Sequence, residues 1–192
     1  MHAKDAIGTG KAAMATTAPI SEEAIRPEEH ETISWQDATE RLAAAGTFWM
    51  ATIREDGRPH VRPILAVWVE DALHFVASTT SRKWANLTHR PVCSVSTGTP
   101  GLDLVAEGEA IRVTDETMLR RVADAYDANY DWQVDIRDGA FFAEGAPTAG
   151  PPPFHVYGLQ PSTVYGFGTD ESHSDRSTRW RFPERPAEGD RT

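Results

Sequence analysis

Four hydroxyl residues and two cations stand together where a strand-like segment meets a helix-like one. The hydroxyl residues are Ser78 to Ser81, and Arg82 and Lys83 follow them directly. Hydroxyls and free amides at a helix N-terminus donate hydrogen bonds to an anion, and the helix dipole and the two cations add favourable charge. The segment therefore indicates a phosphate site. A polar turn that carries a solvated Arg-Lys pair explains the residue types equally well.

Lys83 is distinguished by the rarity of lysine in this chain. Of the 19 basic residues, three are lysines, and the other two, Lys4 and Lys11, lie near the N-terminus. Lys83 is therefore the only lysine in the remainder of the sequence. Cations in the first turn of a helix oppose the helix dipole. A local mismatch of this kind often marks a functional site.

A second candidate is Gly57–Ala66, an extended segment that contains two prolines. Pro59 and Pro63 cannot donate to a sheet ladder, so we expect the segment at a sheet edge or in an irregular strand. Its backbone would there face a ligand, with Arg62 beside it. A strand that leaves a turn with exposed Arg and His side chains is an equally good interpretation.

A third candidate is Ser177–Phe182, which contains the triplet Arg179-Trp180-Arg181. Two guanidinium groups beside an indole ring are able to stack on a planar ligand and to contact an anion. A C-terminal strand that packs on the rest of the domain accounts for the same residues.

The composition excludes several classes of protein. The 192 residues have a mass of 21.2 kDa, and 19 basic against 29 acidic residues give a net charge of −10. Proteins that bind nucleic acid or anionic membranes need a basic surface, so neither partner is expected. A single phosphate group needs only a few local cations and remains compatible with this charge.

The single cysteine and the hydropathy pattern indicate the compartment. Cys93 cannot form an internal disulfide, and its position in the apolar run Val92–Val95 predicts a buried, inert thiol. No apolar run approaches the roughly 18–20 residues that cross a bilayer, and no apolar stretch follows Lys4 and Lys11 as in a secretory signal. These features predict a cytoplasmic protein.

Neither a metal site nor a hydrolytic triad is expected. The seven histidines lack the spacing of a zinc site, and the sequence has no C-x-x-C motif. It also contains neither G-x-S-x-G nor G-x-G-x-x-G, so a serine hydrolase and a Rossmann domain are both disfavoured.

The chain divides into a tail, one domain and a second tail. Residues 1–30 show no sustained periodicity and predict a disordered tail, followed by a folded domain over 31–183 and a short tail over 184–192. Helices are expected to begin at the capping residues Ser34, Ser81 and Thr114. A loop is expected over 131–153. The predicted strands are 47–54, 58–69, 73–77, 92–97, 104–113, 154–159, 163–167 and 178–182.

This order of elements predicts a mainly β fold with a minor α component. Asp56-Gly57 is a hairpin turn signal, and the short strands follow one another with meander spacing. We therefore expect a six- or seven-stranded antiparallel β-barrel with two to three helices.

Several segments together resemble the split-barrel, flavin-binding family related to pyridoxamine 5′-phosphate oxidase, and within it the branch of flavin- and deazaflavin-dependent reductases. The resemblance extends over roughly residues 34–183, and the phosphate segment together with the order of elements carries it. The matching segments are Ala51–His60, Phe75–Leu87, Val105–Ala110, His155–Leu159 and Thr178–Phe182.

The resemblance implies a split barrel that forms a homodimer, with two cofactors, FMN or coenzyme F420, at the subunit interface. The family's phosphate-binding positions match Ser78, Ser81, Arg82 and Lys83 here. Backbone around Arg62, Pro63 and Ile64 is expected along the ring system, and Trp180 and Arg181 are expected to reach the site from the partner chain. The substrate-phosphate Arg/His pattern of true pyridoxamine 5′-phosphate oxidases is missing at the C-terminus, so oxidation of vitamin B6 is not expected.

The expected function is that of an oxidoreductase that uses coenzyme F420 or FMN to transfer a hydride to or from a small organic substrate. The alternative is a non-catalytic protein that binds FMN, F420 or haem as a carrier or sensor. The sequence assigns no catalytic residue; Tyr157 and His60 are the candidates for an acid or base.

Overall fold

Eleven antiparallel strands in one connected sheet form most of the described structure. The structure is a computed structural model, and it describes residues 18–26, 28, 31–144, 150–171, 173 and 175–183. Within these ranges three helices accompany the sheet: α1 (Trp35–Ala44), α2 (Arg82–His89) and α3 (Glu116–Tyr130). The predicted mainly β, antiparallel split-barrel fold is confirmed. The strands are β1 (Ser21–Ala24), β2 (Phe48–Ile53), β3 (Pro59–Ile64), β4 (Ala66–Val69), β5 (Ala72–Ser78), β6 (Val92–Thr99), β7 (Leu102–Arg112), β8 (Asp135–Arg137), β9 (Ala140–Phe142), β10 (Phe154–Gly168) and β11 (Ser177–Arg181).

The long strand β10 connects the parts of the sheet. Its first half pairs with β5, beginning with Phe154 opposite Ser78, and its second half pairs with β11. β7 lies along nearly the whole of β10, with a register shift between Pro161 and Thr163. From β7 the sheet continues through β6 and β2 to β3, where its path ends. The predicted phosphate segment thus follows the end of β5, and the second candidate segment lies on the edge strand β3.

Side-chain caps determine where the helices begin. Ser34 and Ser81 cap α1 and α2 as predicted, each accepting a hydrogen bond at 3.1 Å from the amide three residues further on. The cap of α3 is Asp115 and not Thr114, because the Asp115 carboxylate accepts from the Met118 amide at 3.0 Å and complements the helix dipole. No helix in the described ranges is long and apolar enough to cross a membrane.

Two apolar clusters lie on opposite faces of β5, since successive residues of a strand point to opposite sides. Phe75 belongs to the larger cluster inside the barrel, which also contains Trp180. Val76 belongs to the second cluster, which α3 covers with the buried Tyr126. The free energy of burial in these clusters fixes the register of β5 and therefore the position of the loop that follows it.

The prediction that the two prolines mark an edge strand is confirmed. Among the described strands, β3 is the terminal strand of the sheet path and pairs only with β2, so the missing amides of Pro59 and Pro63 interrupt no second ladder there. The Asp56-Gly57 turn joins β2 to β3 as predicted, with Gly57 at a φ of +82° that favours glycine.

The predicted strand over 58–69 is in fact two strands. The chain breaks at Leu65, between β3, which pairs with β2, and β4, which pairs with β5. The hydroxyls of Tyr126 and Tyr130 on α3 donate to the backbone carbonyls of Leu65 and Ala66, at 3.0 and 2.7 Å. These tertiary hydrogen bonds satisfy the carbonyls that leave the ladder, and alternation along the sequence does not reveal them.

Three further strands lie in segments predicted without regular structure. β8 and β9 form a hairpin within the predicted loop 131–153, and β1 lies in the predicted tail 1–30, where Ser21–Ala24 pairs with β11. The described sheet therefore has more strands than the six or seven expected. The remainder of that tail up to residue 17, and the predicted tail 184–192, lie outside the described residues.

Candidate functional site

The N-terminus of α2 carries the predicted phosphate segment, and the Ser81 side chain organises it. Ser81 Oγ accepts from the Trp84 amide and donates to the Ser78 carbonyl at 2.7 Å, so Arg82 and Lys83 are the first two helical residues. Arg82 is exposed, and its guanidinium has no hydrogen-bond or ion-pair partner within the described ranges. The helix therefore presents one unpaired cation directly at its positive end.

The serine hydroxyls of this segment are engaged within the protein. Ser78 is buried, and its Oγ donates to the carbonyl of Pro151 at 2.5 Å and lies 3.1 Å from Thr80 Oγ1. Ser81 directs its proton to Ser78, as described above. Both predicted serine ligands thus stabilise the loop between β5 and α2 and are not presented as free donors.

Lys83 extends back over β5 and does not project into solvent. Its Nζ donates to the Val76 carbonyl at 2.5 Å and lies 5.6 Å from the centroid of the Phe75 ring. Burial lowers the pKa of Lys83 to about 8. A cation held by a carbonyl and an aromatic face, without a carboxylate, is electrostatically available to an anion.

The edge strand β3 supplies a third cation. Arg62 is exposed and donates through one guanidinium nitrogen to its neighbouring Val61 carbonyl at 2.8 Å. Pro63 beside it is exposed as expected, whereas the Ile64 side chain is buried in the barrel core, so only backbone at this position is accessible to a ligand.

The structure brings the cations of β3 and α2 together around His60. The pKa of His60 is lowered by burial and, in decreasing order, by the positive charges of Arg62, Arg54, Arg82 and Lys83. None of these four cations forms an ion pair with a carboxylate of the described residues; Arg54 only lies near Asp56, which pairs with Arg58. In a chain of net charge −10, this group of cations is built for an anion.

A buried polar network underlies this group of cations, and sequence analysis did not detect it. The Asn86 side-chain amide on α2 donates to Thr52 Oγ1 on β2 at 2.9 Å, and Thr52 Oγ1 lies 3.4 Å from His60 Nδ1 on β3. All three side chains are buried. The network connects the helix and the edge strand that carry the cations. A polar Asn86 on the apolar side of a short helix was the available signal.

Tyr157 is poorly placed as a proton donor. Its ring is buried and stacks on Phe75 of the neighbouring strand, with centroids 5.7 Å apart and 12° between the planes. Burial raises the pKa of the Tyr157 hydroxyl, against an opposing effect of Arg112. Of the two acid or base candidates, only His60 is next to the cations.

The structure does not bring Trp180 and Arg181 to the other predicted site residues. Trp180 is fully buried in the barrel core, packs against Trp35 at 5.5 Å, and its Nε1 donates to Glu22 at 3.0 Å. Arg181 lies 4.0 Å from the Glu23 carboxylate. Within one chain the enclosed indole, with its N–H satisfied, leaves no surface for a ligand. The expectation that Trp180 and Arg181 reach the site of a partner chain stays a prediction. Trp35 packs on the ring, and Glu22 of β1, a strand not predicted from the sequence, accepts from its N–H.

Other chemistry-bearing groups give no second centre in the part of the chain that the structure describes. No group of three or more His, Cys, Asp or Glu residues there is arranged to hold a metal ion. Cys93 is buried, and burial together with the Glu109 charge raises the pKa of its thiol to about 12, which makes it inert.

A groove of about 710 Å³ lies on the outer face of the sheet. Its lining residues include none of the four cations around His60. The groove is bordered by residues such as Ala51, Val92, Glu107 and Pro161. It therefore offers space for a small molecule but is not itself the anion site.

Comparisons with known proteins identify related folds. The family model of pyridoxamine 5′-phosphate oxidase matches residues 34–172. A search of curated protein sequences gives no match.

Solved structures of three proteins share the fold. A heme binding protein from Mycobacterium smegmatis has a TM-score of 0.59 at 16% identity; the match covers 76% of this chain and 56% of that protein, so this chain spans little more than half of its length. A FAD-binding protein from Mesorhizobium loti has a TM-score of 0.53 at 18% identity, and the match covers 78% of this chain and 96% of that protein. A NimC/NimA family protein from Clostridium acetobutylicum has a TM-score of 0.52 at 19% identity, and the match covers 76% of this chain and 94% of that protein. At these identities the likeness shows the fold alone.

Proposed function

The chain belongs to the pyridoxamine 5′-phosphate oxidase family, and from this premise we propose that it is a flavin- or deazaflavin-dependent oxidoreductase. It binds FMN or coenzyme F420 through the cations around His60 and transfers a hydride to or from a small organic substrate. Similarity to a FAD-binding protein is consistent with a cofactor of the flavin type.

One observation carries this proposal: four cations act on the buried His60 ring, and none of them has a carboxylate ion pair in the described structure. Arg54 directly follows β2, Arg62 lies on β3, and Arg82 and Lys83 begin α2. Eight other arginines of the described residues do have carboxylate partners. Since like charges that act on one ring also repel one another, an anion bound among them would stabilise the arrangement further. FMN and coenzyme F420 both carry a phosphate group that supplies such an anion.

The residues that would hold the phosphate have distinct roles. Arg82 presents a free guanidinium at the helix N-terminus, where the dipole reinforces its charge on an anion. Lys83 exchanges its carbonyl partner, Val76 O, for a phosphate oxygen, and Arg62 approaches from the edge strand. Ser81 positions both helical residues through its cap. The cofactor ring, when bound, supplies the hydride chemistry; the protein binds and orients it.

We also propose that the protein is a homodimer. Trp49, Val61 and Val92, on β2, β3 and β6, are exposed apolar residues, and Trp49 retains 51% of its accessible surface. Large exposed apolar side chains on neighbouring strands are typical of an interaction surface. The groove beside them would then open at the interface and admit the substrate. The free, buried Cys93 suits a cytoplasmic location.

The second candidate is a non-catalytic binder of FMN, F420 or haem. One observation favours it: neither candidate is a good proton donor at neutral pH, because burial raises the pKa of Tyr157 and lowers that of His60. The similarity to a heme binding protein is consistent with this alternative.

Titration of the ligand-free protein with FMN, coenzyme F420 and haem tests both candidates. Quenching of flavin or deazaflavin fluorescence is expected for one of the first two, followed by oxidation of the reduced cofactor when quinone or enone substrates are added. Binding without turnover of any substrate would support the carrier. A Soret band with haem, and no binding of either phosphate-containing cofactor, would overturn the oxidoreductase.

A further inference from the structure

We propose that His60 is itself a ligand-binding residue, which donates its Nε2 proton to an oxygen of the bound anion, and that Thr52 makes this protonation state possible. The inference rests on the anion site of the proposed function. It adds the neutral His60 ring, as a hydrogen-bond donor, to the four cations of that site. Asn86 is a positioning residue that holds Thr52.

The two ring nitrogens of His60 have different environments. Nδ1 faces Thr52 Oγ1 at 3.4 Å inside the protein. Nε2 has no hydrogen-bond partner among the described residues, and it is not one of the buried polar atoms sealed from water. His74 provides the contrast, because its Nε2 is buried, unpartnered and sealed. The free nitrogen of His60 is therefore accessible, and the positive charges of four cations act on the ring.

Thr52 is able to serve His60 in either tautomer. Its hydroxyl oxygen accepts from Asn86 at 2.9 Å, and its single proton has two acceptors at 3.4 Å, Nδ1 and the carbonyl oxygen of His60. When the hydroxyl turns towards the carbonyl, it accepts from a protonated Nδ1, and the Nε2 lone pair faces the cations. When it turns towards Nδ1, the proton lies on Nε2 and points to the ligand.

An anion selects the second state. A lone pair on Nε2 is favourable beside unpaired cations but repels an anionic oxygen, whereas Nε2–H donates to it. The proton moves from Nδ1 to Nε2 through solvent, so the charge of the ring is unchanged. A hydrogen bond to a charged acceptor is stronger than one between neutral groups, and this gives the donor a measurable part in affinity.

Nitrogen-15 NMR of the histidine rings tests the tautomer directly, with inorganic phosphate and FMN as separate probes. Either probe is expected to give a His60 ring with its proton on Nε2. The Thr52→Ser variant should retain this signature with unchanged affinity, whereas Thr52→Val, which removes the donor to Nδ1, should bind both probes more weakly. A bound state that keeps the proton on Nδ1 would overturn the inference.

A pair of variants tests the contribution to affinity, because glutamine places an amide near Nε2 and asparagine near Nδ1. We expect His60→Gln to bind FMN within about three-fold of wild type and His60→Asn to lose about ten-fold, the range of one hydrogen bond to a charged group. His89→Asn, at the exposed end of α2, is the control. Equal affinities of the two His60 variants would contradict the assignment, and thermal melting excludes unfolding as the cause.

The outcomes separate this inference from the proposed function. If phosphate binds with the Nε2–H signature but neither FMN nor F420 binds, the anion site and the role of His60 stand while the cofactor assignment fails. If FMN binds and the His60 nitrogen shifts do not change, the cofactor assignment stands and the role of His60 fails.

Discussion

The ammonium of Lys83 lies over the ring of Phe75, 5.6 Å from its centroid, on the strand that precedes its own helix. Its hydrogen-bond acceptor is a backbone carbonyl, Val76 O, so no full negative charge neutralises it. The same contacts that hold the side chain against β5 also remove it from water and lower its pKa to about 8. An anionic ligand would reverse this shift, and Lys83 is therefore the most sensitive reporter of the site.

Replacement of Lys83 measures its share of the binding free energy. Lys83→Ala is expected to weaken binding of FMN or F420 by ~1–3 kcal/mol, the range for a charge-assisted contact, whereas Lys83→Arg should retain part of it. Isothermal calorimetry gives both values. Arg90→Ala removes an exposed cation at the other end of α2 and should leave affinity unchanged. Unchanged affinity in Lys83→Ala for both cofactors would remove the phosphate assignment.

The pKa of Lys83 predicts how affinity depends on pH. In the free protein the ammonium loses its proton at a pKa of about 8, and a bound anion raises this pKa by favouring the charged form. The contribution of Lys83 to affinity is therefore complete below pH 8 and falls as pH rises above it. Fluorescence titrations between pH 7 and 10 should show this fall in wild type. Lys83→Arg, which stays charged, should show a flat profile; the same fall in both proteins would contradict the prediction.

Glu22 is expected to matter for stability, because it accepts the hydrogen bond of the fully buried Trp180 indole. Glu22→Ala leaves that N–H without an acceptor, which costs about 1–3 kcal/mol. Glu22→Gln keeps an acceptor oxygen and should lose less. Urea denaturation compares the two variants with wild type. Equal stability of Glu22→Ala and wild type would show that β1 does not cover Trp180 in solution.

The sequence alone was sufficient to predict the helix caps, the hairpin turn and the edge strand, because each depends on residues close together in the chain. The caps Ser34 and Ser81 bind amides three residues away, and the Asp56-Gly57 turn needs only its own backbone conformation. The prolines of β3 mark an edge because each lacks a donor, whatever the rest of the fold. The family resemblance then supplied the order of strands, which these local patterns do not contain.

Features that depend on distant contacts were not predictable. β1 is a short, polar segment, and only its pairing with β11, about 155 residues later, makes it a strand and encloses Trp180. Arg54 gave no signal of its own, because its effect on His60 depends on how the strands β2 and β3 pair. The triplet around Trp180 suggested a stacking site because the sequence does not show which residues will bury an indole. That burial depends on tertiary neighbours.

His74 should make folding stability depend on pH. It is fully buried, Nδ1 lies 3.1 Å from the Ala72 carbonyl, and burial lowers the pKa of the ring from 6.5 to about 4. Between these values the unfolded chain binds a proton that the folded protein does not, so stability is complete above pH 6.5 and decreases as pH falls. The loss reaches about 3 kcal/mol near pH 4.

Urea denaturation between pH 4.5 and 7.5 measures this dependence. His74→Asn keeps a donor towards Ala72 and cannot titrate, so its stability should be lower at pH 7 but should change less with pH. His89→Asn, which replaces an exposed histidine, should keep the wild-type slope. A wild-type slope in His74→Asn would assign the pH dependence to other groups.

Trp49 tests the proposed dimer, because it is a large apolar side chain left half exposed on β2, next to the edge strand. If a second copy covers it, Trp49→Glu places a charge in an apolar interface and should convert the dimer to a monomer in sedimentation experiments. Trp49→Phe keeps the apolar contact and should remain dimeric. Ile20→Glu alters an exposed apolar residue beside β1, at the other end of the sheet path, and should have no effect. A Trp49→Glu protein with the same mass in solution as wild type would show that this face is not the interface. If it becomes monomeric and still binds FMN with wild-type affinity, the anion site is complete within one chain.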